Sequence, residues 1–419
     1  MARSQLLRQN AAYFVGNVLA LLLGYIYHFA AGRLLGPEGY APVAAAFSLY
    51  FLLLVPGQMI LTVAMHYAAT FMVSGDGGQL RSVFRYLMKV TGMGSLLGLG
   101  IFLSVSPIIA AFLHIGVLTL LALSPTVLLI PLASVNRGVL QGEQRFVALS
   151  ILLLADAAVR VVFAVAATLS GFGASGAVLG LGAGLGVGYA LSFWPLRHLF
   201  TGRTGDFDKP HVLRFARSTT AAILGISFLF TADILLVKHF LDSQQAGIYA
   251  SVSALGKLVI MATASITGVM FSRVTSLEAR GLPGDRTLKA SAGMVALVTI
   301  ATVLIFGIAP GLVLLPFGPA FAAAAPYLPV FAVASGLFSL ASLLCNYLLA
   351  VHDQRFVPVL GAAGIGEVTA IWNFHANLWQ VITAVLVVGA ATVIALWSLF
   401  ISHRNRRTPE ALELSPNNS

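Results

Sequence analysis

Apolar residues along the chain fall into twelve long runs, separated by short polar or charged turns. A helix that crosses the hydrocarbon core of a bilayer needs about 20 mostly apolar residues, and each run reaches that length. The pattern therefore predicts an all-α, polytopic membrane protein with about 12 transmembrane helices. Their approximate limits are 11–32, 41–72, 90–113, 115–134, 147–170, 174–195, 219–238, 248–272, 290–314, 325–350, 357–376 and 379–402.

The first two runs have unusual features. The run at 41–72 is longer than a bilayer requires, so we expect it to tilt, to bend near Pro56, or to extend beyond the membrane. The first run is too long and too polar for the core of a signal peptide, and further spans follow it, so we treat it as a retained helix.

Composition supports a membrane protein and excludes several other classes. Only 9% of the residues are Asp, Glu, Lys or Arg, whereas soluble domains are about one-quarter charged. With 58% hydrophobic residues and one cysteine, Cys345, the chain is neither disordered nor a disulfide scaffold. An isolated cysteine within an apolar run is most simply a small core residue.

Basic residues predict the orientation in the membrane. If the N-terminus is cytoplasmic, 20 of the 24 Lys and Arg residues border cytoplasmic turns, whereas only Arg33 and Lys238 border outside turns. This distribution follows the positive-inside rule. It predicts that both termini are cytoplasmic, and it accounts for the net charge of +10 without nucleic-acid binding.

Two segments of the sequence repeat after about half the chain. Residues 136–146 (NRGVLQGEQRF) align without a gap on 346–356 (NYLLAVHDQRF), and residues 35–44 align more weakly on 241–250. Chance similarity between two polar turns is the alternative. Six intervening spans place both copies on the same side of the membrane, which is typical of a parallel repeat.

The repeat predicts how the chain is organised. We expect an N-terminal six-helix lobe at 1–196, a cytoplasmic linker at 197–218, a C-terminal six-helix lobe at 219–402 and a cytoplasmic tail at 403–419.

Five ionisable residues other than histidine lie within predicted spans: Asp156, Arg160, Asp233, Lys257 and Glu367. A charge at membrane depth costs about 2.5–3.5 kcal/mol on insertion scales and therefore requires a partner or a wet cavity. Asp156 and Arg160 share a helix face at i, i+4 and can pair, or the guanidinium can meet a phosphate. Asp233 and Lys257 can form an interhelical salt bridge. Alternatively, Asp233 can bind a proton or Na⁺, and Lys257 can bind a diphosphate.

Other polar groups within the spans are weaker candidates. Glu367 follows a glycine-rich stretch that allows close helix approach, so it can exchange a proton there, or it can face water. Gln58 lies in a candidate gate beside Pro56, and it is a candidate for substrate binding. We expect His28 and His66 to be hydrogen-bonded core residues.

Several remaining motifs have structural interpretations. We expect Asn136 and Asn346 to cap helix ends. Residues 79–89 alternate basic and apolar side chains, which suits either an amphipathic turn on the inner leaflet or an ordinary loop. The glycines at 180–188 lie inside span six, so we interpret them as packing glycines and not as a dinucleotide loop. The sequence contains no Walker A motif, metal-ligand cluster or catalytic constellation.

Short motifs resemble one family of membrane transporters. Residues 32–40 (GRLLGPEGY), 138–142 (GVLQG) and 233–249 (DILLVKHFLDSQQAGIY) are similar to motifs of polysaccharide and O-antigen flippases. These belong to the multidrug/oligosaccharidyl-lipid/polysaccharide (MOP) exporter superfamily. The resemblance implies two six-helix lobes around a central cavity, alternating access, and a glycan cargo on a polyprenyl diphosphate. Many polysaccharide flippases have fourteen spans, however, and twelve is usual for the drug-exporting branch.

These observations predict a flippase of the cytoplasmic (inner) membrane that moves a lipid-linked oligosaccharide for cell-surface polysaccharide or lipopolysaccharide biosynthesis. Arg160 and Lys257, with Asp156 and Gln58, are the candidate substrate-binding residues, and Asp233 and Glu367 are the candidate ion-coupling residues. The expected partners are the glycan lipid, membrane lipids, H⁺ or Na⁺, and polysaccharide assembly machinery, with no cofactor. A cation-coupled multidrug antiporter is the alternative, whereas the short outer loops argue against an enzyme.

Overall fold

A computed structural model describes residues 2–202, 205 and 231–413, with side chains from residue 13 to residue 404 within those ranges. Helices account for nearly all of this part of the chain, and it contains no strand. It includes nine helical segments long and apolar enough to cross a membrane. Two of these, Tyr13–Ser74 and Phe146–Leu199, are each long enough for two crossings. The all-α, polytopic fold is therefore confirmed.

The chain divides into two compact units, Met1–Ser227 and Phe228–Ser419. Most of the predicted linker, all of it beyond residue 202 except Gly205, lies outside the described residues, as do residues 219–230 of predicted span seven. The same holds for the end of the predicted tail, residues 414–419.

The described part of the first unit consists of five long or medium helices and one short helix. They are α1 (Ala2–Ser74), α2 (Gly77–Leu113), α3 (Val117–Leu121), α4 (Ser124–Gly142), α5 (Phe146–Ala167) and α6 (Gly173–Leu196), with a π-helical turn at Thr168–Phe172 and a 3₁₀ turn at Arg197–Leu199.

A single residue separates the first two predicted spans, which are the two parts of α1. The backbone leaves the helical region at Gly36, where φ is 66° and ψ is 179°, a conformation essentially restricted to glycine. Within the run 41–72, the dihedral angles around Pro56 remain helical, so the helix is not broken there. The part after Gly36 is about 57 Å long, so it exceeds the hydrocarbon core.

Residues 79–89 form the first turns of α2 and are neither a separate amphipathic turn nor a loop. Asp76 caps the helix by accepting hydrogen bonds from the backbone N–H groups of Gly78 (3.0 Å) and Gln79 (2.9 Å). Leu80 and Phe84 pack into a core cluster with buried residues of α1 and α4. This packing of its apolar face explains why the segment continues the spanning helix.

The second unit has seven helices among its described residues. They are α7 (Ala232–Phe240), α8 (Ser243–Glu278), α9 (Asp285–Ile308), α10 (Pro310–Leu314), α11 (Leu328–Ala350), α12 (Phe356–Asn373) and α13 (Leu378–Glu413), with a 3₁₀ segment at Pro319–Tyr327. The predicted tail is helical as far as Glu413, because α13 continues past residue 402. Cys345 is buried, as expected of a small core residue.

The glycines of α6 are packing glycines, as the sequence predicts. A Cβ at Gly180 would lie 2.8 Å from the carbonyl oxygen of Arg160, and one at Gly182 would lie 2.8 Å from Cβ of Pro125. Glycine allows backbones to approach closely in a membrane, where van der Waals packing drives helix association. The close contact between α5 and α6 positions the charged residues of α5 described next.

Candidate functional site

Two arginines converge on one carboxylate in the first unit. Arg160 Nη2 donates to Asp156 Oδ1 at 2.8 Å across one turn of α5, which confirms the predicted i, i+4 pair. Arg137 Nη2, from α4, donates to Asp156 Oδ2 at 2.7 Å. The distribution of basic residues predicts Arg137 at a cytoplasmic edge, and nothing in the sequence marks it as a partner of Asp156. We call Arg137, Asp156 and Arg160 the arginine cluster.

The arginine cluster is largely buried. The side chain of Asp156 is 4% exposed, that of Arg160 13% and that of Arg137 18%. Arg160 also lies over the ring of Tyr50, with its guanidinium carbon 5.6 Å from the ring centroid, which is a cation–π contact. Arg160 Nε has no hydrogen-bond partner among the described residues.

The charge of the arginine cluster is unbalanced. Arginine stays protonated in proteins, so two guanidinium groups against one carboxylate leave a net charge of +1. Asp156 and Arg160 lie ten and fourteen residues after Phe146, which places them about 15 and 21 Å along α5. A buried positive charge at that depth is suited to an anionic partner, because guanidinium groups form strong, directional hydrogen bonds with phosphate oxygens.

The polar residues predicted in α1 do not join the arginine cluster. The side chain of Gln58 is exposed, and no hydrogen bond connects it with Asp156 or either arginine. His28 Nδ1 lies 2.9 Å from the hydroxyl of Tyr40, which fits the expected core role. His66 is exposed, so the prediction of a core residue is wrong for this histidine.

A second polar cluster lies in the second unit, around Asp233 of α7. Its Oδ2 accepts hydrogen bonds from the hydroxyls of Tyr249 at 2.9 Å and Ser253 at 3.4 Å, both on α8. The predicted salt bridge between Asp233 and Lys257 is wrong, because the two side chains are not within ion-pair distance and Tyr249 takes that place. Asp233 itself is 4% exposed.

Glu367 of α12 is fully buried beside this cluster. Neither of its carboxyl oxygens has a hydrogen-bond partner among the described residues. It is close enough to Asp233 and to Lys257 for Coulombic interaction with both. The water-facing alternative for Glu367 is therefore wrong. A Cβ at Gly361 or Gly366 would meet no described atom within 4 Å, so these two glycines do not bring α12 close to a described helix. We call Asp233, Tyr249, Lys257 and Glu367 the carboxylate cluster.

The two repeat-related asparagines are not helix caps. Asn136 lies inside α4, fully buried, and its Nδ2 donates to Ser192 Oγ of α6 at 2.6 Å. Asn346 lies inside α11, and its Nδ2 donates to the carbonyl oxygen of Ser342 at 2.9 Å in the same helix. Asn136 thus connects two helices, whereas Asn346 bonds within one.

The same ion-pair pattern occurs in the turn between α4 and α5 of the first unit and in the turn between α11 and α12 of the second. In the first unit, Glu143 pairs with Arg145 Nε at 2.9 Å and lies 2.7 Å from His198 Nε2. In the second, Asp353 pairs with Arg355, and its Oδ2 lies 3.2 Å from Nδ1 of His403.

These pairs belong to the turns outside the spans. Hydrogen bonds from Arg355 hold the pKa of Asp353 well below its ordinary value, with a further contribution from the hydrogen bond with His403. The two histidines were not recognised in the sequence, because they lie about 50 residues beyond the aligned segments.

Comparison with known proteins agrees with this architecture. Residues 6–276, well over half of the chain, match the family model described as "Polysaccharide biosynthesis protein". The chain belongs to this polysaccharide biosynthesis protein family. A curated relative is the stage V sporulation protein B of Bacillus subtilis (strain 168), which is 27% identical over 165 residues. That match covers 38% of this chain and 32% of the length of the relative.

Solved structures of the MOP superfamily share the fold. An inward-facing multidrug resistance MATE family transporter aligns with a TM-score of 0.78 at 12% identity, covering 96% of this chain and 99% of the other. The lipid II flippase MurJ, in an inward closed conformation, aligns with a TM-score of 0.70 at 15% identity, covering 94% and 87%. The predicted membership in the MOP exporter superfamily, in its polysaccharide flippase branch, is confirmed. The chain therefore has the fold of these transporters, and its long apolar helices are those of a multi-pass membrane protein.

Proposed function

We propose that the protein moves an oligosaccharide attached to a polyprenyl diphosphate across the cytoplasmic membrane by alternating access. The observation that supports this cargo is the net positive charge of the arginine cluster at membrane depth. The family description and the similarity to a lipid II flippase favour the same class of substrate.

In this proposal the diphosphate replaces some of the hydrogen bonds that Arg137 and Arg160 donate to Asp156. Arg160 Nε has no hydrogen-bond partner among the described residues, and the side chain of Arg137 is partly exposed, so both can offer further N–H groups to phosphate oxygens. Asp156 keeps the two guanidinium groups oriented before the cargo arrives, which reduces the entropy lost on binding. Lys257, half-buried in the second unit, is a separate candidate cation for a phosphate.

The carboxylate cluster would supply the coupling to an ion gradient. A buried carboxylate without a hydrogen-bond donor is unfavourable as an anion, so it favours either a proton or a bound cation. Within the part of the chain that the structure describes, Glu367 meets this description, and Asp233 adds a second carboxylate nearby. We propose that H⁺ or Na⁺ bound here exchanges as the cargo moves.

A transport assay tests the anionic cargo. The purified protein is reconstituted in proteoliposomes with a fluorescent glycan on polyprenyl diphosphate, and its movement between leaflets is measured. Arg137→Ala and Arg160→Ala should each reduce the rate at least tenfold, since each removes charged hydrogen bonds worth about 1.5–3 kcal/mol. Lys89→Ala, which removes an exposed basic residue of α2, is the matched control. If a correctly folded protein moves no such lipid, the proposal fails.

The second candidate is a cation-coupled antiporter for cationic drugs, and the carboxylate cluster is the observation that favours it. A cationic drug needs carboxylates and not arginines, so the double variant Arg160→Ala with Lys257→Ala should leave drug export intact. The same variant should abolish handling of the diphosphate. Measuring efflux of a fluorescent cation and flipping of the glycan lipid with one preparation separates the two functions.

A further inference from the structure

An apolar slot of about 660 Å³ runs along the first unit between α1, α2 and α4. Its walls include Ile60 of α1, Ile101 of α2 and Ile130 of α4, and its floor includes Gly94 and Gly98 of α2. None of the lining residues carries a charge. The chemistry of the slot therefore suits a hydrocarbon chain and excludes a charged headgroup.

The two floor glycines differ from the packing glycines of this unit. A Cβ at Gly94 or Gly98 would meet no described atom within 4 Å, whereas one at Gly138 would lie 2.8 Å from Cβ of Ala64. Glycines in spanning helices commonly let a second helix approach. Gly94 and Gly98, one turn apart, instead widen the slot on the face of α2 that borders α1 and α4.

The length of the slot distinguishes between lipids. Its lining residues on α2 extend from Leu87 to Ile109, which is about 33 Å of helix. The hydrocarbon core is about 30 Å thick, so the chains of one leaflet reach only about half of that length. A single chain that fills the whole slot must therefore be longer than an ordinary acyl chain.

We propose that this slot holds the polyprenyl chain of the transported lipid. The inference rests on the proposed function, since it assigns a place to the tail of that cargo. The slot and Arg137 share α4: Pro131 lines the slot and Arg137 follows it by six residues, about 9 Å along the helix. One helix thus contributes both to the tail site and to the headgroup site.

The expected gain in affinity is small for a physical reason. Bilayer chains are as apolar as the slot, so a polyprenyl chain gains no hydrophobic free energy on entering it. The preference comes from dispersion contacts with a preformed surface, which are individually weak and add along the chain. The slot therefore selects by length and shape and supplements the binding of the headgroup.

Photocrosslinking tests the location of the chain. The full-length protein in phospholipid vesicles is labelled with undecaprenyl phosphate that carries a diazirine near its far end, and the labelled peptides are mapped. We expect labels within residues 87–109 of α2. The variant Gly94→Leu with Gly98→Leu fills the slot and should reduce labelling by roughly fivefold or more, because it removes the contacts along the chain.

Two further variants guard against misfolding. Gly100→Leu adds the same side chain on the same helix, at an exposed position that also has room for a Cβ but does not line the slot, so labelling should be unchanged. Gly98→Ala should give an intermediate reduction. Labels that map to another helix, or that persist when the slot is filled, would overturn the proposal.

A phospholipid with a diazirine on its acyl chain separates the two lipid classes. If it labels the slot and unlabelled undecaprenyl phosphate does not compete, an ordinary phospholipid occupies the slot and the proposal is wrong. Transport of a geranyl diphosphate glycan should be insensitive to the filled slot, whereas transport of the undecaprenyl form should slow. If neither form is transported but undecaprenyl phosphate still labels the slot, the proposed function fails and the tail site stands.

Discussion

Asp156 is a buried anion that holds two buried cations in place. Its carboxylate spans the gap between α4 and α5 because each oxygen accepts from a different arginine, at 2.7 and 2.8 Å. The net stabilisation from a buried ion pair is small, because desolvation offsets the attraction. Removing one partner is nevertheless strongly destabilising, because it leaves an uncompensated buried charge. The residue is therefore expected to affect folding as well as transport.

Asp156→Ala should destabilise the protein by about 3–5 kcal/mol, because both Arg137 and Arg160 lose their buried counter-ion. The measurement is thermal unfolding of the detergent-purified protein. The double variant Asp156→Asn with Arg137→Gln removes one charge of each sign and should recover part of the stability, since only Arg160 then lacks its counter-ion. A single variant as stable as the parent protein would show that the ion pairs are not coupled to folding.

Glu367→Gln should abolish ion-coupled transport without lowering the stability of the protein. The side chain is buried without a described hydrogen-bond donor, so a neutral amide of the same shape should not lower the unfolding temperature. Transport driven by a Na⁺ or H⁺ gradient should disappear, while equilibration of the cargo down its own gradient continues. Glu38→Gln, which neutralises an exposed carboxylate, is the control. Gradient-driven transport that survives in Glu367→Gln would remove this residue from the coupling site.

At the scale of helices and turns, the two copies of the repeat mark two similar ion-pair clusters. Each copy joins an acidic side chain to an arginine two residues later and to a histidine from a distant part of the same unit. The acid and the arginine are visible in the alignment of 136–146 with 346–356. His198 and His403 are not visible there, since only folding brings them to the turn.

The turn at Asp353 should make stability depend on pH in the acid range. The pKa of Asp353 is lowered in the folded protein, so its contribution is present above its unfolded pKa of about 3.9 and is lost as pH falls below it. The unfolding temperature should therefore begin to drop below about pH 5 and go on dropping until the pH has passed through the lowered pKa of the folded state. Asp353→Asn should show a smaller drop over that range, and an unchanged pH profile would contradict the assignment.

At the scale of the whole molecule, the hydrophobic pattern predicts the helices well. Eleven of the twelve predicted spans correspond to described helical segments, and most of the twelfth lies outside the described residues. The pattern reports burial in lipid and in protein equally, so it cannot tell which side chains meet inside a unit. For that reason Asp156 with Arg160, which are local in sequence, was predictable, whereas Arg137 and Tyr249 were not.

The predicted orientation can be tested on the full chain. A fluorescent protein fused after Ser419 should mature and alkaline phosphatase fused there should be inactive, because both termini are expected in the cytoplasm. Fusions after His114, which follows three predicted spans, should give the opposite result. Active phosphatase at the C-terminus would mean an odd number of spans or an inverted chain.

The single-residue joint at Gly36 also has a mechanical meaning. The two parts of α1 meet at Gly36 without a loop, so one part cannot shift along its axis without moving the end of the other part. The remaining freedom between the two parts is rotation about the φ and ψ bonds of Gly36. A displacement of one part of α1 therefore changes the angle between the two parts.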